Sequence, residues 1–187
     1  MSRSFLDLGD GIELRSWSLE DAPEIFAMVD ANRDHLRAWL DWVDRTVSPL
    51  QITEFIEKVR RRDDAREGNG IYVNGTLVGS AGLSWATEEM QGEIGYWLAA
   101  GAQGQGLVTR AARALTTYGF DEVRLHRMTI KAAVENTRSR AVAERLGFVQ
   151  EGVLREGGDT GVGRVDLVMY GLIVHEWTPE HGSAVPT

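Results

Sequence analysis

The residues of this chain best suited to chemistry by type and spacing are Gln103-Gly104-Gln105-Gly106-Leu107-Val108-Thr109. Gly104 and Gly106 lack the Cβ atoms that would keep an anion off the backbone. The residues that follow, up to Gly119, have helical composition. The unpaired N–H groups of that helix's first turn and the positive end of its dipole then point at one spot. This arrangement makes a pocket for a pyrophosphate and requires no lysine. The turn excludes two commoner phosphate sites. It contains no G-x-x-x-x-G-K-[ST], and Gly104-x-Gly106 is not followed by the third glycine of a dinucleotide fingerprint.

A strand must lead into this turn, and Glu93 to Leu98 reads as one. Upstream, residues 12–17 alternate like a half-buried strand, and Ser18 with Asp21 resembles a capping box opening a helix over 19–32. Leu36, Trp39, Leu40 and Val43 predict a second helix by their spacing, and Ile52, Phe55, Ile56 and Val59 after Pro49 a third. Asn74-Gly75 between 71–73 and 77–85 is a hairpin signal, since a type I′ turn needs positive φ at both positions. Beyond the glycine turn come a strand over 128–134, a helix over 137–146 closed by Gly147, and two strands over 148–154 and 165–176. A glycine-rich tip at 157–163, expected to be flexible, joins the last two. The class is α/β, one domain over 1–177 with a mixed, largely antiparallel sheet flanked by helices, then a polar tail at 178–187.

With 187 residues the chain can bury one full core. Zero cysteines remove disulfides and thiolate nucleophiles, which suits a reducing, cytoplasmic setting. No stretch reaches the roughly 18 apolar residues of a membrane helix, and the N-terminus has no apolar signal core. A net charge of −8 argues against a nucleic-acid binder that neutralises phosphates. His175 and His181 flank a proline and do not share a helix face, so no metal site is expected.

Gln103-x-x-Gly106-x-Val108 resembles the Gln/Arg-x-x-Gly-x-Gly/Ala signature of the GNAT superfamily of N-acetyltransferases. Val108 departs at the last position, where the site asks only for a backbone N–H. A second segment agrees: Asn136 closes a strand, and the helix after it ends in Gly147-Phe148. The wording Glu93-Ile-Gly-Tyr-Trp97, Asn136-x-x-Ser139, Gly147-Phe-x-x-Glu-Gly152 and Trp39-Leu-x-Trp42 is closest to the ribosomal-protein branch, the RimL and RimJ type. The resemblance implies acetyl-CoA as cosubstrate, with its pantetheine arm along Trp97 and Leu98, a backbone bulge near Leu98-Ala99, and the splaying of two strands. Its pyrophosphate would lie on the N–H groups of Gln103, Gly104, Gln105, Gly106, Leu107, Val108 and Thr109. Asn136 and Ser139 would meet the pantetheine and thioester. Many relatives place a tyrosine where this chain has Ala143. Ser139, one turn earlier, is the available hydroxyl; the RimL-type resemblance implies that it meets the leaving thiolate, and a coenzyme-binding or helix hydroxyl is the other reading.

Attack of an amine on a thioester needs an amine that has lost its proton. Glu93 is the first candidate base, since burial on so apolar a strand would poise its carboxylate. The RimL-type resemblance implies a second acidic residue at the place of Gly158, where Glu156 and Asp159 stand on either side as alternatives, and water is a further one. A protein α-amine is already about a tenth neutral at pH 7, and a lysine amine below about 0.1%. A protein N-terminus is therefore the favoured acceptor; the resemblance implies that Trp39 and Trp42, with Glu93, would select it, and a homodimer is expected from similar proteins. A small-molecule amine acetyltransferase and a non-catalytic CoA-binding sensor are the other readings.

Overall fold

The computed structural model describes residues 3–61, 65–66 and 68–178, so the tail from residue 179 on lies outside the described residues. Among these, nine strands form one sheet: β1 Arg3–Gly9, β2 Ile12–Ser16, β3 Ala65–Arg66, β4 Asn69–Val73, β5 Thr76–Ala86, β6 Gln91–Leu98, β7 Arg127–Ala133, β8 Val149–Thr160 and β9 Gly163–Ile173. Their spatial order is β1-β2-β4-β5-β6-β7-β9-β8, with β3 paired to β5 off this path. All pairings are antiparallel except β6 with β7. The mixed sheet predicted from the sequence is thus present.

Helices cover both faces. On one face α4 (Leu107–Asp121) and α5 (Thr137–Arg145) bury Leu107, Ala111, Leu115, Val142 and Ala143 against Leu14, Ile71, Leu83, Ile94, Met128 and Ile130. On the other, α1 (Ala22–Ala31) and α3 (Pro49–Arg60) bury Ile25, Val29, Ile52 and Ile56 against Trp17, Tyr72 and Leu77. The helix starts follow local chemistry. Asp21 accepts from the Ser18 N–H at 2.6 Å and its Oγ at 3.0 Å, and Gln51 does the same for Ser48 ahead of Pro49 at the start of α3. Asn74 and Gly75 have φ of 49° and 79°, as the hairpin requires.

Three expectations need correction, and one strand is added. The helix predicted through Val43 stops early: α2 covers only Arg33–Arg37, and a 3₁₀ turn, Val43–Arg45, follows. Arg33 donates to the carbonyls of Val43 and Thr46, and this folds the chain back on itself. Strand β1 was not foreseen; Gly9, Asp10 and Gly11 all have positive φ and turn it into β2. The glycine tip is shorter than 157–163. Strand β8 continues to Thr160 past a register shift between Leu154 and Gly158. Finally, no bulge marks Leu98-Ala99. The β5–β6 register is unbroken from Ala86↔Gln91 to Gly79↔Leu98, and the Ala99 N–H continues it to Val78.

The splay itself is present and needs no bulge. β6 and β7 pair only from Gln91 to Glu93, against Arg127 to Thr129. Beyond Glu93 each strand stays fully paired with its other neighbour, β6 with β5 and β7 with β9. Sheet twist then carries the two apart and leaves their facing backbone groups to a ligand.

Candidate active site

The splay opens a cleft of about 1430 Å³ that runs from the start of α4 to the β8–β9 hairpin. Its floor at one end is the predicted glycine turn. Gly104 and Gly106 have φ of 77° and 73°, and a Cβ built on either meets nothing within 4 Å. That open space lies in front of the first turn of α4, a 15-residue helix whose N-cap, Gly106, offers no side-chain hydrogen bond. The N–H groups there are directed outward, as an anion cradle requires. Val108 turns its side chain into the core, 8% exposed, so its departure from the pattern leaves the backbone available. The loop is fixed from behind by the Asn32 Oδ1, which accepts from the Ala100 N–H at 2.9 Å.

Gln103 bridges the turn to two other elements. Its Oε1 accepts from Arg138 at the start of α5, and its Nε2 stands 2.8 Å from the His35 Nε2 on α2. Arg138 thus brings a positive charge beside the cradle, and His35 ties α2 to it by accepting from the Gln103 amide. Sequence reasoning missed both, since neither lies in the turn itself.

At the middle of the cleft Asn136 caps α5, its Oδ1 accepting from the Ser139 N–H at 3.1 Å. The Oγ and backbone carbonyl of Ser139 both lie 3.1 Å from the Tyr96 hydroxyl on β6. Burial pushes the Tyr96 phenol up to about 12, against the opposing effect of the Ser139 hydrogen bond. Tyr96 was passed over in the sequence as one residue of a strand pattern. Ala143, by contrast, is fully buried in the core.

The match to known proteins now decides the family. Residues 12–149 match the model of the acetyltransferase (GNAT) domain. The chain belongs to the GNAT acetyltransferase family. It is an acetyl-CoA-dependent N-acetyltransferase, similar to the Escherichia coli (strain K12) ribosomal-protein-serine acetyltransferase at 38% identity over 173 residues, 90% of this chain and 96% of the relative. Among solved structures, RimL, the ribosomal L7/L12 alpha-N-protein acetyltransferase in complex with coenzyme A, aligns with a TM-score of 0.85. Its identity is 25%, over 91% of this chain and 98% of that one. The microcin C7 self-immunity acetyltransferase MccE, in complex with acetyl-CoA and AMP, aligns at 0.83 with 26% identity, over 91% and 96%.

Within this acetyltransferase, most predicted site residues meet in one place. Trp39, Glu93, Trp97, Leu98, Gln103, Gly104, Gly106, Leu107, Val108, Thr109, Asn136 and Ser139 all line the cleft. Gln105 is exposed and lies outside the lining. Trp42 also lies outside it, because the chain folds back after α2; its ring packs 6.1 Å from that of Trp97, against the α1–α3 core. Glu93 is not desolvated as expected. Its side chain is 45% exposed, and its Oε2 accepts from the Lys131 Nζ at 2.7 Å. Of the alternative bases, Asp159 lines the cleft 3.4 Å from Arg164, and Glu156 does not line it.

Proposed function

We propose that this enzyme acetylates the N-terminal α-amine of a protein, with ribosomal proteins as the acceptor class. One observation carries the reading: the acceptor end of the cleft holds carboxylates that are exposed and paired with cations, Glu93 with Lys131 and Asp159 with Arg164. Each carboxylate already faces a cation instead of standing free for the incoming amine. An α-amine, about a tenth neutral at pH 7, needs far less help than a lysine amine. The activities of the E. coli ribosomal-protein-serine acetyltransferase and of RimL, an alpha-N-protein acetyltransferase, support the same acceptor.

In this reading acetyl-CoA supplies an acyl group already activated as a thioester. The N–H groups of the 103–109 turn, with Arg138 beside it, hold its pyrophosphate. The free backbone edge of Trp97 and Leu98 pairs with the pantetheine amides, and the Asn136 amide reaches the same arm. Ser139 faces the leaving sulfur. Glu93 orients the incoming amine, directly or through water, and Trp39 contacts the first residues of the acceptor. The absence of cysteine and the ribosomal-protein relatives support work in the cytoplasm. A homodimer is part of the proposal; the exposed Val149, Val153 and Leu154 on the edge strand β8 support it.

The experiment is incubation of ribosomal proteins and of a small-amine panel with the enzyme and isotopically labelled acetyl-CoA, followed by mass spectrometry. Label on a protein N-terminus is expected. Label only on lysine side chains or on small amines would reject the proposal.

A further inference from the structure

Ser139 is held on three sides. Its N–H is capped by Asn136, and its Oγ and carbonyl oxygen both face one phenol, that of Tyr96. The phenol comes from β6 and the serine from α5, so the contact spans the splay just past the last β6–β7 pair at Glu93. Both residues line the cleft.

We infer that Tyr96 is a positioning residue for the leaving-group step: its one O–H proton is shared between the Ser139 carbonyl and Oγ, both 3.1 Å away, and an Oγ that accepts from it turns the serine's own O–H toward the sulfur of the thioester. A free hydroxyl is a rotor with one donor and two acceptor lone pairs. With its oxygen already accepting from a phenol, the Ser139 hydrogen is directed away from Tyr96 and into the cleft. The inference rests on Ser139 facing the leaving sulfur, as proposed above.

The chemistry balances without any proton leaving Tyr96. The bond from the amine nitrogen to the acetyl carbon forms and the carbon–sulfur bond breaks. The electron pair goes to sulfur, where the Ser139 O–H meets the charge. The proton that finally rests on sulfur comes from the attacking amine, which must lose one to become an amide. The phenol is unsuited to give up its own, because its pKa of about 12 stands well above the roughly 8.5 of an ordinary thiol. It acts as a fixed hydrogen-bond donor, oriented before the reaction begins.

The alternative is that Tyr96 only ties α5 to β6. A double-mutant cycle separates the two, because a residue that acts through Ser139 has nothing to act on once the hydroxyl is gone. Turnover is measured for the full chain, Tyr96→Phe, Ser139→Ala and the double variant, with acetyl-CoA and a peptide with a free N-terminus. CoA affinity by calorimetry and melting temperature are followed alongside; the phenyl ring keeps the packing of Tyr96. Tyr96→Phe is expected to lower kcat about tenfold with KM for acetyl-CoA within about twofold, and the double variant to match Ser139→Ala. If Ser139→Ala is slow and Tyr96→Phe is unchanged, or if the two losses multiply, the role of Tyr96 is overturned and that of Ser139 stands. If Ser139→Ala turns over normally, the assignment of Ser139 itself is wrong and the inference falls with it.

Discussion

Gly161 and Arg37 hold each other beside the mouth of the cleft. The Gly161 N–H donates to the Arg37 carbonyl at 2.8 Å, and the Arg37 Nη2 donates to the Gly161 carbonyl at 3.2 Å, 124 residues away in the chain. The tip expected to be a flexible hairpin is therefore docked on the end of α2, next to the cleft residues Leu36 and Thr160. Asp44 fixes the guanidinium from the other side, and that pairing lowers the Asp44 pKa. A Cβ at Gly161 would come within 2.8 Å of the Arg37 carbonyl oxygen and 3.0 Å of the Asp44 Oδ2, so the contact exists only because residue 161 is glycine.

Gly161→Ala is accordingly expected to lift the tip off α2. The docked tip borders the acceptor end, and its hydrogen bonds go to Arg37 and not to the 103–109 turn. Steady-state kinetics should show KM for the acceptor peptide raised about three- to tenfold and KM for acetyl-CoA unchanged. Equal changes in both would mean that the contact serves overall stability.

Trp39 and Trp42 looked equivalent in the sequence, and the structure separates them. Trp39 lines the cleft, while Trp42 packs at a tilt against Trp97 and on the α1–α3 core. Trp42→Ala should therefore cost about 2–4 kcal/mol of stability, which a thermal melt reads as a fall of roughly 5–15 °C. Trp39→Ala should leave the melt nearly unchanged and raise the acceptor KM about tenfold. Exchanged phenotypes would reject this division of roles.

The phosphate cradle yields a test with an internal control. Arg138 meets Gln103 above the glycine turn and has no part in the acceptor end. Arg138→Met should raise KM for acetyl-CoA about tenfold, the weight of one charge-assisted hydrogen bond, and leave acetyl-pantetheine, which lacks the pyrophosphate, unaffected. Gly106→Val adds a branched side chain at a φ of 73°, into the open space in front of the cradle, and should abolish CoA binding by calorimetry. Normal affinity in that variant would sink the pyrophosphate assignment.

What could be foreseen in the sequence was governed by local sterics. Asn74-Gly75, Gly104, Gly106 and Gly147 occupy positive-φ positions that side-chain chemistry alone predicts, and Ser48 with Pro49 marks a helix start without help from the fold. The missing pieces depend on which strand lies beside which. Lys131 reaches Glu93 across 38 residues because β7 is the parallel neighbour of β6, and that pairing turned an expected buried base into an exposed ion pair. Tyr96 meets Ser139 only because β6 and β7 part after three residues of pairing. The end of α2 was likewise set at a distance, by Arg33 reaching forward to carbonyls 10 and 13 residues on.

Alkaline pH probes the same burial. Tyr72 and Tyr96 are both pushed up to about 12 from the ordinary 10.0, chiefly by burial, with Asp21 and Glu24 adding to the effect at Tyr72 and Ser139 opposing it at Tyr96. Unfolded, both phenols lose their protons near 10, while the folded chain keeps them until about 12. The folded state therefore binds more protons in that window, and stability falls as pH rises through it, with no contribution to the slope below about pH 9. Each phenol adds up to about 1.4 kcal/mol of lost stability per pH unit. Denaturant melts at successive pH values should show this decline beginning near pH 10, and Tyr96→Phe should remove roughly half of the slope that the two groups share. Phenolate absorbance from these residues should rise together with loss of the helical circular dichroism. Full phenolate absorbance at pH 10.5 with the fold intact would show that the splayed cleft is open to water at Tyr96, contrary to the burial on which the Tyr96–Ser139 contact depends.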